Sequence, residues 1–110
     1  MSPNDFRELA LRLPEAVEQR HQGHPDFRIC GKVFATLGWP DSAWAVVKLP
    51  IEEQQKYTAT QPLVFQPLPG AWGRRGSTKV RLAAANSNAV EQALLTAWRH
   101  VAPKRLAERY

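Results

Sequence analysis

Apolar positions recur at helical spacing in two stretches of the chain and at alternate positions in several shorter ones. Phe6, Leu9, Ala10 and Leu13 fall at i, i+3, i+4 and i+7, which makes one stripe on a helix. Ser2 stands ready to cap it, Pro3 suits the first helical position, and Asp5 favours the positive end of the helix dipole. Pro14 ends the stripe, because a residue before proline is driven out of the helical region. Val90, Leu94, Ala97, Trp98 and Val101 form a second, longer stripe, capped by Asn86 or Asn88 and broken by Pro103. Asn88 and Glu91 have the spacing of a capping box. Ile51 to Thr60, with Glu52 and Glu53 in its first turn, reads as a short helix, and Lys104 to Tyr110 as a last basic turn.

The strand signals lie between these helices. Glu15 to His21 is a weak strand, followed by a turn at Gln22-Gly23-His24-Pro25. Asp26 to Cys30 and Val33 to Leu37 are clearer strands, with Gly31-Lys32 as a two-residue turn. That turn sets Ile29 opposite Phe34 and Phe27 opposite Thr36. Phe27, Ile29 and Phe34 then share the core face, while Arg28, Cys30, Val33 and Ala35 share the other. Ala43 to Leu49 is apolar on both faces until Lys48, which suits a central strand. Gln61 to Arg75 carries Pro62, Pro67, Pro69, Gly70 and Gly73, so it is expected to be irregular, with Leu63-Val64-Phe65 as one edge strand. From Ser77 to Leu82 the alternation is regular: Thr78, Val80 and Leu82 point one way, Ser77, Lys79 and Arg81 the other. The predicted order is helix, about three strands, helix, about two strands, helix. Short hairpins favour an antiparallel sheet, and the helical stripes need a sheet face to cover. The expectation is a two-layer α+β domain, with an antiparallel sheet of about five strands and helices on one face.

Composition narrows the classes. Residues 1–110 are enough for a single domain and too few for a second core. No run approaches ~18 consecutive apolar residues, so no membrane helix is expected. The N-terminal residues lack the basic-then-apolar pattern of a signal peptide, and Cys30 is the only cysteine, which together suggest a reducing cytoplasm. Charge is uneven. The first fifty residues are neutral, and the whole net charge of +5 falls after Pro50. No Asp or Glu occurs between Glu53 and Glu91, while Lys56, Arg74, Arg75, Lys79 and Arg81 do. An acidic partner is one consequence of such a bias and a merely soluble surface is the other.

The stretch from Trp72 to Arg81 is the leading candidate for function. Glycines let a backbone approach a phosphate closely. Arg74 and Arg75 supply charge-assisted hydrogen bonds, Trp72 a ring for stacking, and Lys79 and Arg81 continue the charge on one strand face. Against it stands the reading of Trp72 as a buried anchor with solvated arginines beside it. Lys32, at a hairpin tip, is a further cation within reach of a ligand, while Lys48 reads as a surface charge. His21, His24 and Asp26 form an H-x-x-H-x-D string, but on an extended chain His21 faces away from the other two, so a structural turn is the simpler account. Cys30 has no nearby histidine signature that marks a nucleophile. No phosphate-binding loop, dinucleotide fingerprint or spaced carboxylate pair is present. No catalytic residue, metal or cofactor is expected.

Five segments in order complete the picture: Gly23-His24-Pro25-Asp26-Phe27-Arg28, Gly31 to Leu37, Val46 to Leu49, Pro69-Gly70-Ala71-Trp72-Gly73-Arg74, and Ala97-Trp98 with Ala102-Pro103-Lys104. Together they resemble the MmcQ/YjbR family of small bacterial proteins, over Phe6 to Leu106. The resemblance implies an antiparallel sheet with helices on one side, similar to secretion chaperones and frataxin-like proteins. It also implies a DNA-binding role with loop or hairpin wings beside the nucleic acid. One departure is Leu49-Pro50-Ile51-Glu52-Glu53, which keeps an acidic pair but lacks the capping side chain often found before it. The resulting expectation is a non-enzymatic module that contacts DNA phosphates without sequence preference, through Lys32, Trp72, Arg74, Arg75, Lys79 and Arg81. The alternative is a protein- or peptide-interaction module that uses an exposed sheet face, with Trp39, Trp44 and Cys30 outside the core. A weaker third reading is a small-molecule or metal site at the His24 turn.

Overall fold

Ser2 and Asp5 start the fold with a reciprocal cap. The Ser2 hydroxyl accepts from the Asp5 amide at 3.1 Å, and the Asp5 carboxylate accepts from the Ser2 amide at 3.0 Å. These bonds satisfy two amides that a helix start leaves unpaired and pull the Asp5 carboxyl below its ordinary value. In the computed structural model, which describes residues 1–110, the cap opens α1 over Pro3–Leu11. Four strands follow: β1 Val17–His21, β2 His24–Ile29, β3 Lys32–Leu37 and β4 Trp44–Lys48. Then come α2 Ile51–Thr60, β5 Phe65–Pro67, α3 Gly70–Arg74 and β6 Ser77–Arg81. A 3-10 turn at Leu82–Ala84 leads to α4 Ser87–Val101 and α5 Lys104–Ala107.

The six strands form one antiparallel sheet in the order β1-β2-β3-β4-β6-β5. This is the expected α+β architecture with one strand more than the sequence suggested. The strongly apolar β4 is internal, between β3 and β6. The Leu63–Phe65 edge strand forms two residues later, at Phe65–Pro67, where Pro67 ends the edge without breaking a ladder on both sides. α1 packs on α4 and β3, α4 on β3 and β4, and α2 on β5. α4 is capped by Asn86, whose side chain accepts from the Ala89 amide at 2.8 Å, so the Asn88–Glu91 box does not form. α2 begins at Ile51 with Pro50 before it and no side-chain cap, as the departure at Leu49-Pro50 implied.

Two expectations about the β2–β3 hairpin are corrected. The turn residues are Cys30 and Gly31, with φ of 49° and 79°, and Ile29 pairs with Lys32. Two consecutive positive φ values are what a two-residue turn needs to match strand twist. A bulge follows: Arg28 pairs with Val33 and Phe27 with Ala35, leaving Phe34 as the extra residue on β3. Phe34 and Ala35 therefore both face the core, and Cys30 sits exposed in the turn instead of on a sheet face. The expected Ile29–Phe34 and Phe27–Thr36 pairs do not occur.

The core lies between the sheet and the helices. Phe6, Phe27, Phe34, Phe65, Leu94 and Trp98 are its largest members. Trp98 is fully buried, and its indole Nε1 donates to the Pro14 carbonyl at 3.0 Å, which fastens α4 to the turn that follows α1.

Candidate functional site

The sheet face opposite the helices is built by strand alternation. Paired residues share a face, so Asp26 with Thr36, Thr36 with Val46 and Val46 with Lys79 run across the sheet on one side. Trp44 lies beside Arg81 and Lys48 beside Ser77 on the same side. Lys79 and Arg81 lie over the Trp44 ring, with the ammonium 4.3 Å and the guanidinium carbon 4.4 Å from its centroid. This packing buries Trp44 outside the main core and holds two cations in a fixed place. Asp26 is the one strand carboxylate facing this side, and Arg28 neutralises it with two bonds of 2.9 and 3.0 Å. That bond raises the Arg28 guanidinium above its ordinary value. Lys48, Arg74, Arg75, Lys79 and Arg81 have no carboxylate partner.

Beside the cations a groove of about 500 Å³ crosses the face. Its floor includes the Asp26–Arg28 pair, Val33, Thr36 and Val46. His24 and Trp39 close one corner, with ring centroids 5.5 Å apart in an edge-on contact, and Leu68, Trp72 and Ser77 line the opposite corner. Trp39 and Trp72 are 45% and 61% exposed, so both rings face solvent from the rims.

The residues singled out by sequence divide on this frame. Lys79, Arg81 and Trp72 come together on the helix-free side, and Trp72 is not the buried anchor of the competing reading. Arg74 and Arg75 end the one-turn α3 and are exposed next to that rim. Lys32 is exposed at the hairpin tip, but its pairing with Ile29 puts it on the helix side of the sheet. Segment 70–74 is helical, and its glycines serve the protein itself. A Cβ at Gly73 falls 1.7 Å from the Leu68 carbonyl oxygen, and one at Gly76 falls 1.9 Å from that of Leu49. His21 and His24 both line the groove, because they pair across the β1–β2 turn, yet no three His, Cys, Asp or Glu side chains converge as metal ligands.

Sequence reasoning missed two residues. Lys48 joins the groove wall, which the pairing of its strand with Ser77 decides. Gln54 is buried, and its amide donates to the Gly73 carbonyl at 2.9 Å and the Ser77 carbonyl at 3.2 Å. It ties α2 to the segment that carries Trp72, Arg74 and Arg75. No hydrophobic periodicity marks a buried glutamine of this kind.

Fold and site define a class: a small α+β domain with helices on one face of an antiparallel sheet and a cationic, grooved surface on the other. The chain belongs to the YjbR family, whose model matches residues 11–100. Among solved structures it is similar to Deinococcus radiodurans protein DR2400, a crystal structure with the family-model domain DUF419. The TM-score is 0.75 at 14% identity, covering 98% of this chain and 86% of that one, which shows a shared fold. The search of curated proteins gives no match. No helix is long and apolar enough to cross a membrane.

Proposed function

We propose that this protein binds DNA through its phosphates, using the helix-free sheet face and the adjoining α3. The observation that carries this reading is the set of cations without carboxylate partners, Lys48, Lys79, Arg81, Arg74 and Arg75, on and beside a face whose single strand carboxylate is already neutralised. Such a surface attracts a polyanion and releases its counterions. No long helix lies on this face to enter a major groove, so the contacts fix position without reading bases. The resemblance to a family with an implied DNA-binding role points the same way. A non-enzymatic role and a cytoplasmic address accompany this reading; Cys30 is a free exposed thiol, which a reducing compartment preserves.

A titration of mixed-sequence DNA at two salt concentrations tests it. Four phosphate contacts from Arg74, Arg75, Lys79 and Arg81 give a slope of about −3 to −4 in log K against log salt. Replacing Arg74 and Arg75 by Ala flattens that slope by nearly two units and weakens all sequences about equally. Absence of binding at low salt up to hundreds of micromolar ends the proposal, since non-specific binders typically reach about 10⁻⁴–10⁻⁶ M even at physiological salt. The second reading, a protein or peptide partner, is favoured by the exposed Trp39 and Trp72 beside an apolar floor. It requires weak DNA affinity and no special role for the arginines.

A further inference from the structure

We propose that the groove between Trp39 and Trp72 takes unpaired bases, so that single-stranded nucleic acid is the preferred ligand of this face. This rests on the phosphate-binding reading above and adds a second kind of contact to it. A duplex keeps its bases stacked inside and offers a surface mainly phosphates. It could satisfy Lys79 and Arg81 without ever using the groove. An unpaired strand presents flat apolar faces with polar edges, and the groove is built from the complementary chemistry.

Its volume, about 500 Å³, falls in the range of ordinary ligand sites. Val33 and Val46 give the floor an apolar strip, while Thr36 and the Asp26–Arg28 pair in the floor and Ser77 at one corner supply hydrogen-bonding groups. The two exposed indoles stand at diagonal corners, one by the start of β2 and one by the start of β6. Trp39 is braced edge-on by His24, so less ordering is left to be done on binding. Trp44 cannot serve as a third platform, because Lys79 and Arg81 already occupy its ring. Those two cations lie one strand over from the groove floor, since Lys79 pairs with Val46. A sugar–phosphate backbone held along β6 therefore has its bases within reach of the groove. Stacking on Trp is indifferent to base identity, in keeping with a surface that does not read sequence.

The test uses a labelled mixed-sequence oligonucleotide of about 12 nucleotides, alone and as a duplex with its complement, followed by fluorescence anisotropy and by intrinsic tryptophan emission. The single strand is expected to bind at least about 5-fold more tightly than the duplex and to quench the exposed indoles. Trp39→Ala and Trp72→Ala should each weaken single-strand binding by about 5-fold or more, leave the salt slope unchanged and leave duplex binding unaltered. Trp39→Phe and Trp72→Phe should retain most of the affinity. Equal affinity for both forms, with no effect of the tryptophan variants but strong loss in Lys79→Gln/Arg81→Gln, overturns the single-strand inference and leaves phosphate binding standing. Binding of neither form at low salt overturns both. An oligo-glutamate peptide of equal charge that binds as tightly and quenches as strongly also overturns it, in favour of an acidic protein partner.

Discussion

Trp98 and Gln54 show how single side chains hold the helices that support the site. Trp98 is fully buried and donates to the Pro14 carbonyl. Its replacement by Ala is expected to cost about 3–5 kcal/mol in denaturant unfolding, from lost burial and the cavity left behind. Phe fills much of the space but leaves the Pro14 carbonyl unpaired, so Trp98→Phe should fall well between wild type and the Ala variant. Gln54 satisfies two backbone carbonyls from inside the fold. Gln54→Leu keeps the bulk and removes the second donor from each carbonyl, while the Gly76 and Leu68 amides still serve them, an expected loss of about 0.5–1.5 kcal/mol. Because those carbonyls belong to Gly73 and Ser77, the same variant should also weaken DNA binding, measured at a temperature where it remains folded. Trp98 belongs to a helical apolar stripe and was readable as core; Gln54 was not, since its role depends on carbonyls about twenty residues away.

At the level of elements, the β2–β3 hairpin depends on its turn. Cys30 occupies a positive-φ position that a side chain with a β-carbon enters at some cost, and Asn is better suited there. Cys30→Asn is expected to raise stability by about 0.5 kcal/mol, read as a higher unfolding midpoint with an unchanged slope. Cys30→Ser should leave DNA binding unaltered, because Cys30 is not among the residues that line the groove. The periodic elements were legible because periodicity reports burial directly. α1, α2, α4 and the alternating β6 fall where the pattern places them, within a residue or two. The bulge was not legible: Phe34 was expected in the core, but the extra residue that turns Ala35 to the same face depends on how β3 registers against β2. α3 was hidden in a segment rich in proline and glycine. Its one turn persists because Gln54 and the close approach of Gly73 to Leu68 hold it in place.

For the molecule as a whole, pH dependence reveals how the layers meet. Tyr57 packs on Phe65 with centroids 4.7 Å apart, and burial raises its hydroxyl above the ordinary value of 10.0, aided by Glu53 and opposed by Thr96. The folded state therefore keeps a proton that the unfolded chain begins to lose near pH 10. Above that pH the native state binds more protons than the unfolded one, so stability falls as pH rises. Urea melts across this range should show a loss in wild type that exceeds the loss in Tyr57→Phe. An equal fall in both proteins would mean that Tyr57 titrates freely in the folded state.

Local patterning was enough for α1, α2, α4, the faces of β4 and β6 and the two-layer class, because each follows from a short period and from the need to bury one stripe or one face. It also placed Lys79 and Arg81 side by side, since residues two apart on a strand share a face. Tertiary structure decided everything that depends on which strands become neighbours. Inserting β6 between β4 and β5 set Lys79 and Arg81 over Trp44, and it brought Lys48 and Trp72 to the same groove as Trp39 and His24. In the β2–β3 hairpin, pairing with the core residue Ile29 turned Lys32 to the helix side, away from the other cations. Cross-sheet neighbours are chosen by the packing of the entire core, and no short window of residues contains that information.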